Sequence, residues 1–279
     1  MTEQTSEQLG VCSWSLQAAG VRDLVAKVQS TGLKNVQLAL SAHREDCGAL
    51  KGVQAELQAI GSCIVSGMFG AVQEDYSTLE SIRKTGGFVP DDAWDENWRV
   101  AQAAASAAEA MDLKQVSTHA GFLPEDPTEP AYGKLLERLG KIADLFADHG
   151  LALLFETGQE TAKHLNEFLD RFDRSNVGIN FDPANMILYG KGEPVAALKK
   201  LMPRVKQVHI KDAVRTKTPG EWGEEVVVGE GEVDWRVFLQ ALADADYRGH
   251  LIIEREAGDD RVGDIRAAAV HLSTLMRGN

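Results

Sequence analysis

The chain alternates short apolar runs with amphipathic stretches along its whole length, and this rhythm restricts its fold more than any other feature. Runs over 11–14, 35–40, 63–68, 115–119, 151–156, 177–182, 205–210 and 251–254 are rich in Val, Ile and Leu without clean in–out alternation. Strands of that kind belong to a parallel sheet covered on both faces. Between them, residues 21–31, 45–60, 97–111, 131–149, 162–172, 194–201, 235–244 and 263–276 read as helices. Gly32, Gly61, Gly150 and Gly249 stand at the helix-to-strand turns, where glycine closes helices. Eight strand–helix units in 279 residues predict an α/β fold, a closed (β/α)8 TIM barrel forming a single domain. A doubly wound open sheet is the alternative, because periodicity does not report closure.

Composition narrows the partners. The longest apolar runs hold about six residues, far short of the roughly 20 that cross a bilayer, so no membrane role is expected. Residues 1–8 are polar and acidic and read as a frayed tail rather than a signal peptide. Cys12, Cys47 and Cys63 form no CxxC pair, and an odd count does not make a disulfide framework. Free thiols in a reducing cytoplasm are expected. A net charge of −13 without a dense Lys/Arg block argues against a nucleic acid partner.

Four of the apolar runs stop on a metal-capable residue: Glu156, Asp182, His209 and Glu254. In a parallel barrel the carboxyl ends of the strands open onto one face, where active sites sit. A charge at the end of a buried strand is costly unless paired or bound to metal. Oxygen ligands with one imidazole suit a hard or borderline divalent cation. The plainer reading is that each residue caps a helix or makes a salt bridge at the barrel mouth. His119 ends the fourth strand on the same rim, as a substrate contact or a satisfied core histidine. Asp212 is a candidate to support the site from behind the ligands, or a partner in a loop salt bridge. Long loops over 70–95 and 211–234 follow strands and would lie on that face as lids or substrate walls.

The segments around these residues, 155–160 (Phe-Glu-Thr-Gly-Gln-Glu), 180–185 (Asn-Phe-Asp-Pro-Ala-Asn), 207–212 (Gln-Val-His-Ile-Lys-Asp) and 252–256 (Ile-Ile-Glu-Arg-Glu), resemble the xylose isomerase-like TIM barrels. Within that superfamily the chain is similar to sugar phosphate isomerase/epimerases, ketose 3-epimerases and inosose dehydratases. The resemblance implies one divalent cation (Mn2+, Mg2+, Co2+ or Zn2+) held by Glu156, Asp182, His209 and Glu254. It also implies that Glu156 and Glu254 act as the acid/base pair. The expected activity is a sugar isomerase or epimerase working by proton abstraction beside a carbonyl, through a metal-stabilised enediolate. The alternative is a metal-dependent lyase that dehydrates a keto-inositol or keto-sugar. Arg215 matches a substrate-binding arginine of the epimerases. Asn185 replaces a histidine that the family carries three residues after the metal aspartate, which argues against simple ketose 3-epimerisation. The expected partner is a small carbohydrate, and dimers and tetramers are frequent in the family. An endonuclease IV-like role would need more histidines and a basic groove. A non-catalytic scaffold would not need both glutamates.

Overall fold

In the computed structural model, which describes residues 7–40, 47–218 and 220–277, parallel pairing carries the strands around a complete circle. The strands are β1 (Leu9–Cys12), β2 (Asn35–Ala39), β3 (Cys63–Met68), β4 (Gln115–Thr118), β5 (Ala152–Glu156), β6 (Val177–Phe181), β7 (Val205–Ile210) and β10 (His250–Ile253). They form a closed barrel in the order β1-β10-β7-β6-β5-β4-β3-β2. Closure is made where β1 pairs with both β2 and β10, Val11 lying between Val36 and Ile253. The open-sheet alternative is therefore excluded.

The outer layer includes helices α1 (Val21–Thr31), α2 (Cys47–Ala59), α4 (Trp94–Ala110), α5 (Pro130–Asp148), α6 (Ala162–Phe172), α8 (Pro194–Leu201), α9 (Trp235–Asp244) and α10 (Arg261–Arg277). Large apolar side chains turn outward from the strands to meet them. The Phe155 ring lies 5.8 Å from that of Phe172 on α6, and the Phe181 ring lies 5.9 Å from that of Phe238 on α9. Side chains alternate along a strand, so the residue after each phenylalanine turns toward the barrel axis. Those residues are Glu156 and Asp182. The same parity sends Val208 and Ile210 outward and His209 inward.

Inside the barrel the filling is partly polar. Gln37, Ser117, Asn180 and Gln207 are fully buried. Gln37 Nε2 donates to Ser117 Oγ (2.8 Å), and Gln207 Nε2 donates to Asn180 Oδ1 (3.3 Å). Gly10 is needed on β1, because a Cβ there would stand 2.7 Å from Ile252 Cδ1 and from the Asn35 carbonyl.

The structure departs from the sequence reading mainly in the loops. The 70–95 loop contains a short helix, α3 (Leu79–Thr85), started by Thr78, whose Oγ1 accepts the Ser81 N–H at 3.0 Å. Another short helix, α7 (Pro183–Leu188), begins directly after β6 with Asp182 as its N-cap. The 211–234 loop folds into an antiparallel hairpin of β8 (Asp212–Val214) and β9 (Glu224–Val226). Seven- and six-residue helices and three-residue strands are too short to leave a periodic signal. Of the expected tail, residues 1–6 lie outside the described residues. Glu7 and Gln8 are fastened to the barrel floor, since Asn35 Nδ2 donates to the Glu7 carbonyl (2.6 Å) and Gln8 Nε2 to the Gly249 carbonyl (2.9 Å). The expected start of the second helix at 45–46 and the side chain of Cys47 also lie outside what is described.

Candidate metal and active site

Glu156, Asp182, His209 and Glu254 converge at the carboxyl end of the barrel. Each offers a ligand atom, and these atoms lie within 4.8 Å of one another. His209 Nδ1 is 3.5 Å from Glu156 Oε1, 3.5 Å from Glu254 Oε2 and 3.8 Å from Asp182 Oδ2. All four side chains are buried. Among the described residues, His209 Nδ1 and Asp182 Oδ2 have no hydrogen-bond partner. Two buried polar atoms without partners, facing a common point beside two further carboxylates, fit a divalent cation with mainly oxygen ligands.

The surroundings set the imidazole for this role. Gln37 gives its amide hydrogens to Ser117 Oγ and the Gly67 carbonyl, so its Oε1 is the atom turned to His209 Nε2, at 2.7 Å. That contact assigns a hydrogen to Nε2 and turns Nδ1 toward the carboxylates, where it carries a proton in the metal-free protein and would offer its lone pair once a cation displaces that proton. Asn180 Nδ2, 3.0 Å from the same Nε2, donates to Glu156 Oε2 at 3.1 Å. Cys12 Sγ lies 3.8 Å from Nε2 in the same floor, and burial pushes its thiol far above its usual value, which makes it a filler rather than a nucleophile. Gln37 escaped the sequence reading. Its only local signal is a polar side chain at an inward position of an apolar strand.

Each glutamate is oriented by its own neighbours. Glu156 Oε1 accepts from Asn185 Nδ2 (2.9 Å) and lies 3.4 Å from His119 Nε2. Glu254 Oε1 accepts from Trp14 Nε1 (2.8 Å), and its Oε2 accepts from Lys211 Nζ (2.9 Å). The Lys211 ammonium is buried and also reaches Glu256 Oε2 at 2.5 Å. Burial opposes ionisation of both glutamates, but the cations beside them prevail. His209 and His119 hold Glu156 well below the usual carboxylate range, and Lys211 with His209 pulls Glu254 down to about 2. Burial pushes Asp182 up to about 6. Burial would lower the His119 value, yet Glu156 brings it up to about 9.

Above this floor opens a cavity of about 710 Å³, lined by Trp14, Tyr76, Tyr189 and Trp222 among others. A volume and apolar lining of this kind suit a small organic ligand. Trp222 comes from the turn of the β8–β9 hairpin, so the 211–234 segment does form a wall of the site. The 70–95 segment supplies another, through Glu74 and Tyr76. Of the expected substrate contacts, His119 and Asn185 line the cavity. Arg215 does not. Its exposed guanidinium pairs with Glu232 (Nε to Oε2 2.5 Å). Among the described residues, Asp212 makes no hydrogen bond to the four ligands. Its buried carboxylate accepts the N–H groups of Ala213, Val233, Gly229 and Gly231 and the Trp235 indole Nε1. It thereby folds the segment after β9, where a Cβ on Gly231 would stand 2.1 Å from Asp212 Oδ1.

The model of the xylose isomerase-like TIM barrel matches residues 7–275. The chain belongs to this family. Among solved members of similar shape, a xylose isomerase domain protein from Planctomyces limnophilus is 32% identical, with a TM-score of 0.85 over 91% of this chain and 92% of that one. An L-ribulose 3-epimerase superposes with a TM-score of 0.74 over 97% and 96% at 15% identity, a likeness of fold. Among curated sequences, an inosose dehydratase of Bacillus thuringiensis (strain Al Hakam) is 29% identical over 145 residues, 46% of this chain. The xylose isomerase-like barrel described here spans about half the length of that relative (48%). Among the described residues, no helix is long and apolar enough to cross a membrane.

Proposed function

We propose that this xylose isomerase-like barrel is a divalent-metal-dependent isomerase or epimerase of a sugar or sugar derivative. The observation that carries the proposal is the convergence of Glu156 and Glu254 with Asp182 and His209 at the floor of one cavity. Proton abstraction beside a carbonyl needs a base and a group that returns the proton, and these two carboxylates would serve in both capacities beside the cation. The cation, one of Mn2+, Mg2+, Co2+ or Zn2+, would be held by those four side chains and would supply Lewis-acid stabilisation of the charge that develops on the substrate oxygens.

The chain's own residues account for the rest. Glu254, kept ionised by Lys211, takes a proton from the carbon next to the carbonyl. Glu156, held by Asn180 and Asn185, takes up a proton from His119, whose Nε2 lies 3.4 Å from its Oε1, and returns it to the substrate. Return to the opposite face of the same carbon inverts it. Return to the neighbouring carbon exchanges aldose and ketose. Trp14, Tyr189 and Trp222 keep water away from the reacting atoms.

A dehydratase is the second reading, and two observations favour it. Asn185 stands where the family carries a titratable histidine. Lys211 places a buried ammonium beside Glu254, in the cavity, where it can donate to a departing hydroxyl. The curated relatives named inosose dehydratase agree with it. The test is proton NMR of Mn2+-loaded protein in D2O with keto-sugars and inososes. Deuterium entering a product of unchanged composition supports isomerisation or epimerisation, and loss of water supports the lyase. Absence of both across the panel refutes the proposal.

A further inference from the structure

Five carboxylates line the cavity: Glu74, Glu156, Glu225, Glu254 and Glu256. Four have cationic neighbours. Glu156 has the two histidines, Glu254 and Glu256 share Lys211, and Glu225 pairs with Arg255 at 2.8 Å. Glu74 differs. Among the described residues it makes no ion pair, and its oxygens accept only from the Gly87 N–H (3.0 Å) and the Tyr76 hydroxyl (3.3 Å). It is joined to the metal-ligand cluster through side chains that line the same cavity. Tyr76 OH is 3.1 Å from His119 Nδ1, and His119 Nε2 is 3.4 Å from Glu156 Oε1. Glu74 and Glu156 thus stand on one cavity lining, connected through Tyr76 and His119.

Lys211 already serves Glu254 and Glu256, and Arg255 serves Glu225 together with Asp264. Among the described residues no arginine lines the cavity, and Arg215 is turned away to Glu232. A phosphate or carboxylate on the ligand would meet Glu74 without a counter-charge. Hydroxyl donors would meet free lone pairs there.

We propose that Glu74 is the charge filter of this cleft: it accepts hydroxyl hydrogens from the far end of an uncharged polyol and turns away phosphorylated or carboxylated substrates. This rests on the reading of the cavity as a sugar site. Repulsion between a carboxylate and a phosphate dianion across a partly wet cleft is strong enough to shift affinity by about tenfold, and it is screened by salt.

The experiment is calorimetric titration of the Mn2+-loaded full chain with paired probes, D-fructose against D-fructose 6-phosphate and D-tagatose against D-tagatose 6-phosphate, at low and high salt. Each free ketose is expected to bind at least about tenfold tighter than its ester, with the gap narrowing as salt rises. Glu74→Gln should shrink the gap at least about threefold, whereas Glu74→Asp, which keeps the charge, should preserve it. A purely structural role for Glu74 would move both members of a pair alike and leave the ratio and its salt dependence unchanged. An ester that binds as tightly as its parent sugar, or a ratio untouched by Glu74→Gln, overturns the inference while leaving the sugar site standing. If no member of either pair binds, the sugar-site reading falls and this inference falls with it.

Discussion

Replacing Asp182 with Asn should make the metal-free protein more stable and, at the same time, blind to metal. Asp182 Oδ1 caps α7 by accepting the Asn185 N–H at 2.9 Å, and an asparagine oxygen can keep that bond. Among the described residues, Asp182 Oδ2 has no hydrogen-bond partner, His209 Nδ1 lying 3.8 Å away. Burial and the neighbouring Glu254 and Glu156 push the acid from 3.8 up to about 6. Below pH 3.8 it is protonated in both folded and unfolded chains and nothing is lost. As the pH rises through about 6, the unfolded chain has already released its proton and the folded one must ionise a buried group, so stability falls. A displacement of this size corresponds to about 3 kcal/mol once the group is ionised. With an unfolding entropy of about 2 cal/mol/K per residue, a chain of this length turns that into about 5 °C. Scanning calorimetry at pH 8 in EDTA should therefore find D182N melting about 5 °C above the wild type. Saturating Mn2+, at about 100 times its Kd, should add close to 3 kcal/mol to the wild type, again about 5 °C, and nothing to D182N. A variant that melts below the wild type in EDTA and keeps the Mn2+ shift would refute both the buried repulsion and the ligand assignment.

Glu254→Gln should lower deuterium exchange into substrate by about 10²- to 10⁴-fold while circular dichroism stays native, and full activity would remove Glu254 from acid/base duty. Gln37→Leu, which takes away the acceptor that fixes the His209 ring, should weaken Mn2+ binding by about 10- to 100-fold in a calorimetric titration; unchanged affinity would show that the ring needs no such support. Burial raises the Glu160 carboxyl from 4.5 to about 7, so its contribution is complete below pH 4.5 and lost as the pH climbs through 7. Glu160→Gln, which can keep the bond from the Leu123 N–H, should stabilise the protein by about 3 kcal/mol at pH 8 and hardly at pH 4. Equal effects at both pH values in urea melts would contradict that account.

Much of this was readable in the linear order of residues because its physics is local. A run such as Leu-Ala-Leu-Leu-Phe before Glu156 records that a strand is buried and that it ends in a charge, and the same holds before Asp182, His209 and Glu254. Glycines at positive φ such as Gly32, Gly61 and Gly150 mark where helices stop. Eight repeats of that unit then imply the barrel. Other features depend on contacts between residues far apart in the chain. Gln37 matters only because closure lays β2 across the barrel from His209, 172 positions later. Trp14 meets Glu254 only where the first and last strands join. The hairpin carrying Trp222, the outward turn of Arg215, the clamp around Asp212 and the unpaired charge of Glu74 were settled in the same way, by which loops the closed barrel brings side by side. Strand parity and ligand type are properties of neighbours along the chain. The orientation of each ligand and the charge of the cleft are properties of neighbours in space, and only folding makes them.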